Sequence, residues 1–369
     1  MADTVPTTSS EVTAEWLTSA LRSAGTLPDG SSVTGVNLDP AAAGVGFMGE
    51  VNTLGLTYDG DPGPSPAKMV IKFPTGSPEI MAMMRPTRVY EREHRFYREL
   101  ADQTPVRTPD IYHVTCNTSP DPEVAEEYVL LMEDLGAMTE GDQVAGMSAD
   151  QTAAALVGLA KHHSRFWNGA GMEAADFIPV INGALNKAGQ GIYEASIEPF
   201  MGVFGDHLTD EMKPIALAYG DNHPLLLDRL AAMPHTLVHF DYRADNLFFD
   251  NSSGEVAVID WQSISQGGGA ADVGYLMGQN LDTAVRREHE NDLLRTYHAT
   301  LEANGVTGYS FEQFFDDYRL GLVYGWVIPV FAVGSLDSSS ERAMTLWANV
   351  IDRVQDAIFQ HNAQEFINL

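Results

Sequence analysis

The sequence predicts an α+β chain in two parts, β-rich toward the N-terminus and mostly helical beyond. Residues 31–73 are rich in glycine and in alternating β-formers, as in a strand meander, whereas 149–167 and 271–369 repeat apolar residues at helical spacing. Between them Glu127-Tyr-Val-Leu-Leu-Met-Glu133 reads as a buried strand running into Asp134-Leu-Gly136, where the pattern changes. The boundary is placed there, giving one lobe over 1–133 and another over 134–369. A chain of 369 residues is long enough for each lobe to bury its own core.

Each element has its own signal. Residues 10–24 predict a short amphipathic helix, with Trp16, Leu17 and Leu21 on one side and Gly25 near its end. Asp59-Gly-Asp-Pro-Gly-Pro-Ser-Pro66 predicts a loop, because proline cannot donate to a ladder. Lys68-Met-Val-Ile-Lys-Phe73 is the strand after it, closed by Pro74. Over 87–100, Val89, Phe96, Tyr97 and Leu100 recur at helical spacing and give one apolar face. Leu156, Leu159, His163, Phe166 and Trp167 do the same over 149–167. Weaker signals over 169–235 predict helices and loops. Short strands follow at 236–240, 247–249 and 256–259, the last two joined by the turn Asn251-Ser-Ser-Gly254.

Composition narrows the function classes. With 51 acids against 21 bases the formal charge is −30, which repels nucleic acid and anionic lipid, so a nucleic-acid partner is not expected. The same charge fits a cationic substrate or, more simply, solubility in a salty cytoplasm. No stretch reaches the roughly 20 apolar residues of a membrane span, and Met1–Leu17 lacks the basic-then-apolar order of a targeting segment. A soluble, cytoplasmic protein is expected. The single cysteine, Cys116, allows neither an internal disulfide nor a thiolate metal site.

Three upstream features point to phosphate chemistry. Gly44-Val-Gly46-Phe-Met-Gly49-Glu-Val51 fits G-x-G-x-x-G-x-V, a spacing shared by a dinucleotide-binding turn and by a hairpin that folds its N–H groups over phosphates. The β-rich continuation Val51–Tyr58 favours the hairpin; a helix directly after Gly49 would favour a nicotinamide-dependent oxidoreductase, and an ordinary Gly-rich turn satisfies the pattern too. Lys72, embedded in the apolar strand MVIKF, is placed either to neutralise phosphates or to snorkel at the surface. A lysine held toward phosphate needs a carboxylate, and the next helix offers Glu91, Glu93 and Glu99. Glu93, three residues before Phe96, adjoins the apolar face and is the choice.

HFDYRADN, 239–246, carries the most information. His239-x-Asp241-x-x-x-x-Asn246 has the spacing of a phosphotransferase loop in which an Asp receives the proton of the attacking hydroxyl and an Asn ligates a metal. Fourteen residues after Asn246, Asp260 in Val258-Ile-Asp-Trp261 is placed to ligate Mg²⁺, an ion that takes oxygen ligands and keeps several waters. Arg243 is placed either to stabilise charge on a transferring phosphoryl group or to form an ion pair with Asp245.

On these residues the chain resembles the kinase-like phosphotransferases that include aminoglycoside phosphotransferases, choline kinases and ecdysteroid-kinase-like proteins. HFDYRADNLFF, VIDWQ and GGGAADVGYLM are most similar to bacterial members of the ecdysteroid-kinase-like branch, and the resemblance runs from about residue 30 to residue 335. LAKHHSRFW, 159–167, looks like the family's L-H-A-x-F-W helix, with His163 expected in the core.

The resemblance implies a two-lobed protein-kinase-like fold, ATP and Mg²⁺, and transfer of the γ-phosphoryl group to a hydroxyl of a small-molecule substrate. It implies Asp241 as the base, Asn246 and Asp260 as metal ligands, and Lys72 with Glu93 at the phosphates under the Gly44, Gly46 and Gly49 loop. The stretch Leu131–Leu135 looks like the hinge, with the backbone of Met132 and Glu133 against adenine, and Asp272 resembles the buried acid that braces the loop. Phe240 stands where the family often has glycine, and Trp261 where protein kinases have the Phe of D-F-G. The short segment after Trp261 argues against protein substrates. The branch implies a hydrophobic or polycyclic alcohol as acceptor; an aminoglycoside or choline-type cation is the alternative. Tyr324, Trp326, Ile328, Val330 and Phe331 are expected either to wall such a pocket or to be helix core. A catalytically silent nucleotide-binding pseudokinase would usually have lost one of Lys72, Asp241, Asn246 or Asp260, and all four are present.

Overall fold

The structure is a computed structural model of the chain and describes residues 5–39, 45–46, 49–117, 127–333 and 340–369. Two compact units are formed, one by Met1–Asp102 with Thr108–Ala137 and one by Gln103–Arg107 with Met138–Leu369.

The first unit is built on an antiparallel sheet. Its strands are β1 (Ser32–Asp39), β2 (Val45–Gly46), β3 (Gly49–Asp59), β4 (Lys68–Pro74), β5 (Ile111–Asn117) and β6 (Glu127–Glu133), in the order β1-β3-β4-β6-β5 with β2 on β3. On β3 the inward positions alternate, Asn52, Leu54 and Leu56 being buried, as a one-sided sheet demands. Helix α1 (Ala14–Ser23) starts where the Thr13 hydroxyl accepts the Trp16 N–H at 3.1 Å. It lays Trp16, Leu17 and Leu21 on a core of Leu54, Leu56, Met69, Ile71, Phe73, Val129 and Leu131. Helix α3 (Val89–Glu99) presents Tyr90 and Phe96 inward, with Tyr90 stacked on Tyr128 of β6 at 5.1 Å. Helix α2 (Pro78–Met84) and strand β5 have no counterpart in the sequence reading. The first is a seven-residue, proline-initiated helix, and the second is an edge strand with every residue from Ile111 to Cys116 only half-buried, so neither shows a clean period.

The second unit is mostly helical, as the periodicity predicts. Its helices are α4 (Ala149–Arg165), α5 (Ala184–Lys187), α6 (Gly189–Phe204), α7 (Met212–Ala231), α8 (Ala270–Gln279), α9 (Thr283–Ala303), α10 (Phe311–Gly325), α11 (Val327–Ala332) and α12 (Glu341–Gln360). A capping box of Ser148 and Gln151 opens α4. The apolar stretch 320–332 is broken at Trp326, whose fully buried indole donates to the Tyr193 hydroxyl at 2.9 Å. Tyr324 and Val330 are also buried, whereas Ile328 and Phe331 are half-buried.

Four short strands complete this unit: β8 (His235–Val238), β9 (Leu247–Phe249), β10 (Val256–Val258) and β11 (Ser265–Gly268), with β7 (Thr139–Glu140) on the edge of β9. The expected hairpin forms, Leu247 pairing with Val258. The strand before HFDYRADN ends at Val238 and pairs with the unforeseen β11, not with β9. The two runs flanking the motif therefore lie in different sheets, and residues 239–246 are the crossover between them.

Two further contacts steady this crossover. Helices α8 and α10 touch backbone to backbone: a Cβ on Gly274 would collide with the Gly321–Leu322 main chain, and one on Gly321 with the Ala270 carbonyl. From α12 the buried Arg353 donates to the carbonyls of Gln143 at 2.7 Å and Val144 at 3.2 Å, and pairs with Asp282 at 2.6 Å. Among the described residues no helix is long and apolar enough to cross a membrane.

Candidate active site

In the first unit the site is built on β4 and its neighbours. Gly44 lies outside the described residues. Gly46 pairs with Gly49, closing a β2–β3 hairpin, and Gly49 opens an eleven-residue strand, not a helix. That continuation removes the structural basis of the dinucleotide fingerprint. A Cβ on Gly49 would sit 2.8 Å from the Phe73 carbonyl and 3.5 Å from Lys72 Cε, so glycine is required for the hairpin to lie over the lysine stem.

Lys72 and Glu93 are brought together. The ammonium lies 2.9 Å from Oε2 and 3.1 Å from Oε1, and both side chains are buried. The Tyr128 hydroxyl donates to Oε2 at 2.6 Å and so fixes the carboxylate from the sheet. The other two candidates are used locally: Glu91 pairs with Arg88 and Glu99 with Arg95 on the helix surface. Sequence reasoning found Glu93 from its place beside the apolar face; it missed Tyr128, whose only sign is an inward tyrosine on a strand of aliphatics. Met132 and Glu133 both lie in β6, opposite Val70 and Met69 of β4. The Glu133 N–H donates to the Asp110 carbonyl at 2.8 Å and its carboxylate accepts the Asp110 N–H at 3.2 Å, so that amide is already committed within the unit.

In the second unit the 239–246 crossover is held from every side. Asp272, on α8, accepts the backbone N–H of His239 at 2.7 Å and of Phe240 at 2.8 Å. His163 Nε2 lies 3.2 Å from the same carboxylate and its Nδ1 2.7 Å from the Tyr297 hydroxyl, which makes it a fully buried support. The His239 ring, also fully buried, contacts the Ile259 carbonyl through Nε2 at 3.0 Å and accepts the Asp241 N–H at Nδ1 at 3.3 Å. Trp261 packs against that ring at 4.7 Å with its own N–H on the Val258 carbonyl. The Ala244 N–H goes to Asn280 Oδ1 at 2.8 Å.

These supports present a compact polar group. The Asn246 amide nitrogen donates to the Asp241 carbonyl at 2.9 Å and to Asp241 Oδ2 at 3.0 Å; Tyr275 donates to Oδ1 at 2.9 Å. The Ile259 N–H donates to the Asn246 carbonyl at 3.1 Å, which sets Asp260 beside Asn246. Asp260 has left-handed backbone, φ +65°, and accepts from Gln262 Nε2 at 3.2 Å. Burial pushes the Asp241 carboxyl up from its usual value; Arg243 opposes the rise and Asp260 adds to it. Arg243 lies 2.8 Å from Asp245 and 3.4 Å from Asp241; burial would lower its pKa, but Asp241, Tyr275, Asp245 and Asp260 together raise it. Asp245 in turn accepts the Gln143 N–H at 2.8 Å, linking the loop to the segment that Arg353 grips.

The donor set fits a hard divalent ion. Asp260 brings a carboxylate, and both hydrogen bonds of Asn246 through its amide nitrogen leave the amide oxygen on the other side. Among the described residues no group of three or more His, Cys, Asp or Glu is placed to hold a metal, so an ion here would complete its shell with water and phosphate oxygen. Sequence reasoning missed Tyr275, Asn280 and Gln143. Tyr275 could have been found, because it lies one helical turn after Asp272 and shares its face.

The model of the ecdysteroid kinase-like family matches residues 43–305. Among solved structures, a Ralstonia eutropha protein described as a candidate aminoglycoside phosphotransferase superposes with a TM-score of 0.50 at 18% identity, covering 97% of this chain and 99% of its own. The GDP complex of a variant aminoglycoside 2'-phosphotransferase gives 0.53 at 13% identity, covering 96% and 99%. An amicoumacin kinase in complex with AMP-PNP, Ca²⁺ and Ami gives 0.53 at 12%, covering 92% of each chain. No curated protein sequence matches significantly. These likenesses establish the two-lobed kinase-like fold, and the family match spans most of the chain: the protein belongs to the ecdysteroid kinase-like family of small-molecule kinases.

Proposed function

We propose that this small-molecule kinase moves the γ-phosphoryl group of Mg·ATP to a hydroxyl of a small organic acceptor. The observation that carries the proposal is the Asp241 carboxylate, held on both oxygens by donors of the chain and still partly open to solvent. A base needs to be oriented and reachable, and few buried carboxylates are both. In this reading Asp241 receives the acceptor's proton, and Arg243 supports the charge of the transferring group. Asn246 and Asp260 would hold Mg²⁺, which supplies charge neutralisation between phosphate oxygens. Lys72, held extended by Glu93, meets the phosphates beneath the β2–β3 pair, and the chain near Met132 and Glu133 meets adenine. Residues 1–133 then act as the nucleotide-binding lobe and 134–369 as the catalytic and substrate-binding lobe. Positioning and charge supply the rate, with no covalent enzyme intermediate. The structural relatives complexed with GDP and AMP-PNP support a nucleotide as donor.

For the acceptor, the half-buried Phe240 ring lies 5.3 Å from Tyr324, immediately before Asp241, and this favours a hydrophobic or polycyclic alcohol. The formal charge of −30 favours an aminoglycoside or choline-like cation instead. A phosphotransfer screen with γ-labelled ATP over aminoglycosides, choline analogues, sugars and hydroxysteroids separates the two. Asp241→Asn should abolish transfer and keep nucleotide binding. Binding of ATP without transfer to any member would favour the pseudokinase, and unchanged turnover by the variant would remove Asp241 from its role.

A further inference from the structure

We infer that Tyr275 is a positioning residue that sets the plane of the Asp241 carboxylate for proton acceptance. The inference rests on the reading of Asp241 as the base. A carboxylate has about four lone-pair positions, two on each oxygen. Asn246 takes one on Oδ2 at 3.0 Å and Tyr275 one on Oδ1 at 2.9 Å. Arg243 stands farther off, at 3.4 Å. Both Asn246 and Arg243 donate to Oδ2, so without Tyr275 the group could pivot about that oxygen. The Tyr275 bond on the other oxygen stops rotation about Cβ–Cγ and leaves Oδ1 a lone pair for an incoming hydroxyl.

The helix beneath makes this donor accurate. Asp272 and Tyr275 lie one turn apart on α8, so a single rigid element holds the loop backbone through the first and the reacting carboxylate through the second. Between them Gly274 puts α8 in main-chain contact with α10, which denies the helix freedom to shift. The Tyr275 ring is buried and its hydroxyl goes to Asp241. Burial first, and the Asp241 charge second, keep the phenol protonated, so it acts as a donor and carries no proton between groups.

The test measures kcat and KM for γ-phosphoryl transfer from Mg·ATP to the acceptor panel above, with wild type, Tyr275→Phe and Asp241→Asn, per active site counted by ADP binding. Phenylalanine keeps the buried ring, so the melting temperature should stay within a few degrees. Tyr275→Phe is expected to lower kcat roughly 10- to 100-fold while the KM for ATP stays within about twofold. 3-Fluorotyrosine at the same position, which keeps the hydroxyl, should retain the wild-type kcat. An unchanged kcat in Tyr275→Phe overturns the inference, as does a fall matched by equal loss of ADP sites or shared by the fluorotyrosine protein. Asp241→Asn reports separately: if it transfers as fast as wild type, or if wild type transfers to nothing, the reading of Asp241 itself fails.

Discussion

Asp272 accepts two consecutive backbone N–H groups, from His239 and Phe240, one on each carboxylate oxygen. Two adjacent amides can converge on one carboxylate only if the chain bends sharply, and Phe240 supplies the bend at φ +68°. A side chain in this region costs about 1–2 kcal/mol, which the paired charge-assisted bonds offset. This explains how the chain tolerates phenylalanine in a left-handed position.

Replacing Phe240 by glycine and by alanine separates strain from packing. Both lose the contact with Tyr324, but only alanine keeps a Cβ at positive φ. The glycine variant should be the more stable by about 1 kcal/mol in urea melts. Equal stabilities would mean that the bend carries no strain.

The Lys72–Glu93 pair predicts a split between stability and binding. Glu93→Gln leaves a buried ammonium without its counter-charge and should cost about 3–5 kcal/mol of unfolding free energy. The double variant Lys72→Met with Glu93→Leu fills the same space with apolar groups and should recover most of that loss. It should not recover affinity for nucleotide, measured by titration calorimetry. Recovery of both would show that the pair serves the fold alone.

Asp317, on α10, predicts a pH dependence of stability. Burial raises its carboxyl from 3.8 to about 6, partly offset by the bond from the Tyr309 hydroxyl. A folded-state pKa above the unfolded one means that the folded chain holds the extra proton, so stability falls as pH rises from about 4 to 6. Asp317→Asn removes this loss. At pH 7 the variant should be more stable by about 1–2 kcal/mol, and the advantage should vanish near pH 4. Melts across that range check it, and a constant difference would refute the assignment.

Much of this is legible in the sequence. Of three acids Glu93 alone adjoins the apolar face of its helix, and the structure buries it against Lys72 while its rivals pair with arginines outside. The hairpin after Asn246 followed from its turn residues. What escaped was set by tertiary contact. Strand β11, Ser-Gln-Gly-Gly, has no β-propensity and exists because β8 needs a partner. Tyr275 looked like one more apolar position in GGGAADVGYLM, since its hydroxyl acquires meaning only when Asp241 folds over it. That the Glu133 N–H goes to the Asp110 carbonyl is likewise set by tertiary contact.

The ion pair on α3 has a last consequence, for control. Some kinases are silenced by swinging a helix-borne carboxylate away from its lysine. Here the tyrosine of the sheet holds that carboxylate in place, and the pair is complete in the chain alone. Moving the helix would strand two buried charges and a phenol at once. The chain therefore carries its lysine–carboxylate pair already formed, with the sheet tyrosine resisting its separation.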